Sequence, residues 1–167
     1  IEDDSLKSDK TDKKLFSQFK KYKTFVAAST HESEELFAAK THILLKKKIK
    51  NIITIIIPRH INRVEQIISE MRGLGLKVAT RSSNEIILKN IDIFIVDTFG
   101  ESKKFYKFAT TVFLGKSLIK GGGQNPLEPA RFGTKILHGP GVDNFKDVYK
   151  YLRQLKISTE VSSPQKC

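Results

Sequence analysis

The chain has 167 residues, with 30 Lys plus Arg against 18 Asp plus Glu, a net charge of +12 and 39% apolar side chains. That length suits one domain with its own core rather than two, and the apolar content excludes a wholly disordered chain. A lone cysteine, Cys167, excludes an internal disulfide or cysteine metal cluster, and no apolar run approaches the ~18 residues of a bilayer span.

The positive field favours anionic partners: nucleic acid, phosphorylated metabolites or an acidic membrane surface. Lysines spread from end to end also serve simply to solvate helix faces. No basic block interleaved with aromatics appears, so nucleic acid is not expected. The acidic, polar start is no signal peptide, so any membrane contact is expected to be peripheral or made by a part outside this sequence.

In chain order, "IEDDSLKSDKTDKK" holds two apolar side chains among charges and hydroxyls and reads as a mobile arm. Residues 1–21 are thus expected to be an arm or interdomain remnant, residues 22–161 the folded domain and residues 162–167 a tail. Short β-branched or apolar runs then recur at Phe25–Ala28, Ile52–Ile57, Leu76–Ala79, Ile91–Val96, Thr111–Leu114 and Lys135–Leu137. Runs apolar on both faces predict buried parallel strands. Between them lie stretches of helical period at Glu34–Lys46, Asn62–Leu74, Glu101–Phe108, Asn125–Phe132 and Phe145–Leu155. "MRGLGLKV" reads as helix, glycine stop and strand. The alternation predicts an α/β fold, a Rossmann-like doubly wound parallel sheet of about six strands.

Ligands of such sheets bind beyond the carboxyl ends of the strands, near the switch point. Each unusual polar cluster here follows a predicted strand: "ASTHESEE", "PRH", "DTFGE", "GKSLIKGGG" and "HGPG". Gly121, Gly122 and Gly123 let backbone N–H groups reach a ligand without a Cβ in the way. A helix expected to open near Asn125, with Pro126 at its first position, would add roughly 0.3–2 kcal/mol of attraction for an anion, so phosphate is the favoured guest. Glu128, which would repel phosphate, suits uncharged hydroxyls such as a ribose diol. The competing reading is a tight turn followed by a first-turn glutamate that stabilises its own helix. No Walker or GxGxxG pattern is present.

Ser29, Thr30, His31 and Glu32 lie between a strand and a helix, and Ser29 with Glu32 also fits a capping box. Arg59 directly follows a buried strand, where a phosphate or base contact competes with plain solvation. Gly100 and Glu101 open another helix, and Asp97 with Glu101 suggests an acid/base pair whose separation a sequence cannot give. His31, His42, His60 and His138 have no mutual metal-ligand spacing, and no Ser-His-Asp or Cys-His arrangement stands out.

Together, "AASTHESEE", "IIIPRH", "DTFGE", "SLIKGGGQNPLEPA" and "GPGVDNFKDV" resemble the 3-deoxy-D-manno-octulosonic acid (Kdo) transferases of lipopolysaccharide synthesis, in order from about Tyr22 to Val161. The resemblance covers only the C-terminal, nucleotide-sugar half of those glycosyltransferase-B enzymes. It implies a CMP-Kdo donor, a lipid A precursor as acceptor, inversion without a metal or other cofactor, and a place at the cytoplasmic face of the inner membrane. The acceptor site, the membrane anchor and the catalytic base are expected in an N-terminal half with no counterpart here. By resemblance, Gly121, Gly122, Gly123 and Asn125 hold the donor near its phosphate, and Glu128 takes the ribose hydroxyls. Pro58 and Arg59 border the nucleotide; Ser29, Thr30, His31, Glu32, Gly100, Glu101 and Lys120 line the cleft. Two departures stand out. Gln124 replaces a histidine usual in the family and carries no charge, and "GPGVDNFKD" replaces a pattern closer to Gly-Pro-His-x-x-Asn-Phe.

Two rivals stay open on the residues alone. One is another glycosyltransferase-B enzyme or epimerase with a uridine donor, distinguished by nucleotide preference. The other is a basic polyanion-binding module, distinguished by salt-dependent binding indifferent to Glu128.

Overall fold

Strands that are apolar on both faces need cover on both sides, and the chain supplies it with an open parallel sheet between two helical layers. The computed structural model describes residues 2–167, with side chains from Lys10 onward. The strands are β1 (Lys23–Thr30), β2 (Ile52–Pro58), β3 (Val78–Thr80), β4 (Ile93–Ile95), β5 (Thr111–Leu114), β6 (Lys135–His138) and β7 (Ser158–Glu160). They lie in the order β3-β4-β2-β1-β5-β6-β7, and every neighbouring pair is parallel. The helices are α1 (Glu2–Phe19), α2 (Glu34–Lys46), α3 (Val64–Gly73), α4 (Ser102–Tyr106), α5 (Leu127–Ala130) and α6 (Lys146–Gln154).

The two-residue period of a strand divides the core. Val26 and Ala28 of β1 join Ile53, Ile55, Phe94, Val112 and Ile136 beneath α1, α4 and α6. Phe25 and Ala27 point the other way, with Ile56, Ile93, Ile95, Phe113 and Leu137, beneath α2 and α3. From β1 the chain winds one way through β2, then returns to the other side with β5, β6 and β7. The switch point therefore lies at the carboxyl ends of β1 and β5, where Val26 pairs with Val112 and Ala28 with Leu114.

The doubly wound sheet agrees with the sequence reading, and three details differ from it: the first helix, a seventh strand and the length of α5. Where an arm was expected, residues 2–19 are helical, and Leu15 and Phe19 are buried in the first core. The Phe19 ring meets Phe94 edge-on at 5.2 Å and stacks on Phe108 at 5.7 Å. The sheet gains a seventh strand, β7, too short and polar to show a period. β3 passes to β4 without a helix; instead Ile86 and Leu88 of the connection bury into the first core. The Gln18 amide of α1 holds that connection, donating to Ile86 O and accepting from Leu88 N, both at 2.8 Å. Finally, α5 is a single turn rather than a helix over Asn125–Phe132.

Candidate functional site

At the switch point β1 ends in an irregularity. Its register with β2 slips between Ala28 and Thr30, and Ser29 takes a left-handed φ of 54°. Thr30 is buried, and its carbonyl accepts the Arg59 N–H at 3.0 Å, so β1 and β2 stay paired past the slip. Pro58 is buried as the last residue of β2, whereas the Arg59 side chain is exposed. The His31 and His60 rings meet edge to face at 5.6 Å. Glu32 is exposed. The capping box expected from Ser29 and Glu32 does not form: α2 opens at Glu34 behind Ser33, whose φ is 71° and whose side chain makes no capping bond.

Two carboxylates that the sequence shows only as ordinary first-turn helix acids organise this edge. Glu34, 3% exposed, accepts the backbone N–H of His31 at 3.0 Å, and those of Lys116, Ser117 and Leu118 at 2.6, 3.2 and 3.4 Å. Successive N–H groups that converge on one point form an anion nest, and here the protein's own carboxylate fills it. Glu35, fully buried, accepts the Thr30 hydroxyl at 3.0 Å and pairs with Arg63 at 2.8 and 3.3 Å. A buried carboxylate requires such partners, since removing one would leave an uncompensated charge.

The glycine run crosses to the neighbouring loop. Gly123 has a φ of 116° and donates its N–H to Lys116 O at 2.6 Å. A Cβ on Gly122 would overlap the same Lys116 carbonyl, so the residue must be glycine for the protein's own packing. Gly121 N–H donates to Asp143 at 2.7 Å, and Gly122 O accepts Asn144 N–H at 3.1 Å. Tyr149 O–H donates to the Gln124 carbonyl at 2.7 Å. Lys120 is exposed.

Asn125 Oδ1 accepts Leu127 N–H at 3.0 Å and so turns the chain into α5. With only four residues α5 has little macrodipole, so the anion attraction expected of a full helix start is much reduced. Pro129 within it has no N–H, and Gly133, with φ 74°, ends the turn that follows at residues 131–133. Glu128 is half-buried and lines a recess of about 320 Å³ with Lys103, Asn125, Leu127, Arg131 and Phe132. Burial, aided by the Glu128 charge, raises the Tyr106 hydroxyl well above its ordinary value.

Glu101 belongs to a different arrangement. Its carboxylate pairs with Arg81 at 3.1 Å and Lys104 at 3.2 Å and accepts the Thr98 hydroxyl; Asp12 of α1 joins Arg81 and Lys104 from the other side. Burial alone would raise its pKa, but Arg81, Thr98 and Lys104 together hold it below 4.5. Asp97, the partner imagined for it, accepts from Ser82 instead. Gly100, with φ 71°, sits exposed just before it. Sequence reasoning missed Glu34, Glu35, Arg63 and Arg81, because beyond the local bonds from His31 and Thr30 their partners lie 20 to 84 residues away.

Sheet order, switch point and gathered polar loops define a Rossmann-like, doubly wound α/β domain with its candidate site at the carboxyl edge of the strands. No family model matches the chain. It is 32% identical over 139 residues, 83% of its length, to the 3-deoxy-D-manno-octulosonic acid transferase of Haemophilus influenzae. It is 34% identical over 134 residues, 79% of its length, to the "Probable 3-deoxy-D-manno-octulosonic acid transferase, mitochondrial" of Arabidopsis thaliana. Its fold is that of the C-terminal CMP-Kdo binding domain of WaaA from Acinetobacter baumannii, with a TM-score of 0.84 at 24% identity over 94% of this chain and 83% of that one. The chain is similar to the Kdo transferases over most of its own length and spans about a third of the length of these curated relatives, 33% and 30% respectively.

Proposed function

We propose that the chain is the donor-binding domain of an inverting, metal-independent glycosyltransferase that uses CMP-Kdo and delivers Kdo to a lipid A precursor in lipopolysaccharide synthesis. The observation that carries this reading is the placement of the family-like motifs: four of the five polar clusters converge on the carboxyl edge of β1, β2, β5 and β6. The nest at Lys116–Leu118 is filled by Glu34, and the N–H groups of Gly121 and Gly123 go to Asp143 and to Lys116 O. Within the glycine run the donor phosphate is therefore assigned to the Gly122 N–H, together with Asn125. Glu128, in its recess, takes the ribose diol, and Pro58 and Arg59 border the base. Ser29, Thr30, His31, Glu32, Gly100 and Lys120 complete the cleft wall; Glu101 contributes through Arg81 and Lys104 rather than as a free carboxylate.

The acceptor site and catalytic base are assigned to a partner domain, and the site of action to the cytoplasmic face of the inner membrane. Two lysine-rich turns suit an anionic membrane surface. Lys20, Lys21 and Lys23 lie beside Lys46, Lys47, Lys48 and Lys50, joined by Lys23 N–H to Asn51 O at 3.0 Å and Asn51 Nδ2 to Lys21 O at 3.3 Å.

The test is thermal unfolding with cytidine or uridine monophosphate in the absence of divalent metal. The expected outcome is a larger rise in Tm with cytidine monophosphate. Equal shifts, or a requirement for magnesium, would return the site to a uridine-donor enzyme.

A further inference from the structure

Glu34 stands where the two halves of the sheet diverge. Its four donors come from both sides of the switch point, His31 following β1 and Lys116, Ser117 and Leu118 following β5. Those donors lead on to the glycine run. Lys116 O accepts Gly123 N–H at 2.6 Å, and Ser117 O accepts Gly141 N–H at 2.7 Å. Ser117 Oγ donates to Leu114 O at 2.5 Å and accepts Gly139 N–H at 2.9 Å, which ties the loops after β5 and β6 together. A peptide unit is planar, so a bond that orients the N–H of residue 117 also orients the carbonyl of residue 116 that grips Gly123. In the same way, the bond to the N–H of residue 118 orients the carbonyl of residue 117 that grips Gly141.

We propose that Glu34 is a positioning residue: an internal anion that shapes the β5 loop and, through the carbonyls of Lys116 and Ser117, sets the glycine run at the distance a ligand phosphate needs. The carboxylate form is essential, because acceptance from several N–H groups at once requires two oxygens and no proton. Glutamine offers one oxygen and turns an NH₂ toward donors. The relay itself requires no ligand; its consequence for nucleotide affinity rests on the reading given under Proposed function.

Two measurements on Glu34→Gln and Glu34→Ala test it. Amide hydrogen exchange, followed by NMR without ligand, should accelerate at Gly123 and Gly141 while the amides of β2 keep their protection. Unchanged exchange at Gly123 and Gly141, or a uniform loss throughout the sheet, overturns the relay. Cytidine monophosphate affinity should fall by about tenfold or more, as expected when a charge-assisted contact that orders the site is lost. Added formate should restore a large part of it in Glu34→Ala, where the vacated nest can take a small carboxylate, and chloride at equal ionic strength should not. Full wild-type affinity in both variants, or recovery by chloride as well as formate, overturns the positioning role. If the wild-type chain binds no nucleotide, the donor-domain reading fails on its own, and the exchange measurement decides the relay.

Discussion

Glu128 and Glu34 are two carboxylates near one edge with opposite situations. Glu34 is enclosed by N–H donors, whereas Glu128 faces a recess with room for a ligand. Glu128→Ala should therefore weaken nucleotide binding by about 10- to 150-fold, the value of one hydrogen bond to a charged group, and leave the unfolding midpoint nearly unchanged. Titration calorimetry with cytidine monophosphate and its 2′,3′-dideoxy form checks this, since the dideoxy compound should bind both proteins alike. A lower midpoint with intact affinity would make Glu128 a helix-start residue. Histidines set the pH response. Burial pushes His42 and His138 below the ordinary 6.5, and His138 Nε2 lacks a hydrogen-bond partner among the described residues. The unfolded chain then takes up protons that the folded chain resists, so this stability is complete above about pH 6.5 and is lost as pH falls toward the folded-state values. His138→Asn, which can still donate to Gly139 O but cannot titrate, should show a shallower fall in Tm between pH 7.5 and pH 5.

Among the elements, α1 is the one whose sequence is most misleading. Its polar first half conceals a last turn and a half that closes the first core, and it replaces the helix missing from the β3–β4 connection. Phe19 is 1% exposed among Phe94, Phe105 and Phe108. Phe19→Ala should cost about 3–5 kcal/mol, the range for a buried phenylalanine left as a cavity, measured by urea denaturation. A loss below about 1 kcal/mol would mean that α1 is dispensable to the domain, as an arm would be. The short α5 carries the opposite lesson. Proline, glycine and a single turn give it little dipole, so recognition there relies on side chains and individual N–H groups.

For the whole molecule, the disposition of carboxylates limits the chemistry. A glycosyl transfer needs a base within reach of the acceptor hydroxyl, with water excluded. Glu34 and Glu35 are committed to N–H groups and to Arg63, and Glu101 is held ionised by Arg81 and Lys104. These 167 residues alone are therefore predicted to bind the donor nucleotide and to transfer no sugar. The assay supplies CMP-Kdo and a lipid A precursor and looks for glycosylated lipid by mass spectrometry. Turnover comparable to a full-length relative would place the base within this chain, with Glu32 and Glu101 the first to mutate.

By itself the sequence determined the architecture and the edge. Apolar runs such as Ile52–Ile57 state their own burial, because a strand's neighbours and a helix's face repeat over two to four residues. The placement of the polar clusters at strand ends followed from the same local patterns. Only the tertiary structure decided what each polar residue does there. Whether Glu34 caps a helix or fills a nest, and whether Glu101 is free or bound by Arg81, depends on partners 20 or more residues away that no local period encodes. The glycines at Gly122 and Gly123 show both limits at once. Their run signals a close approach of backbone, and the fold alone reveals that one thing approaching is the protein's own Lys116 carbonyl.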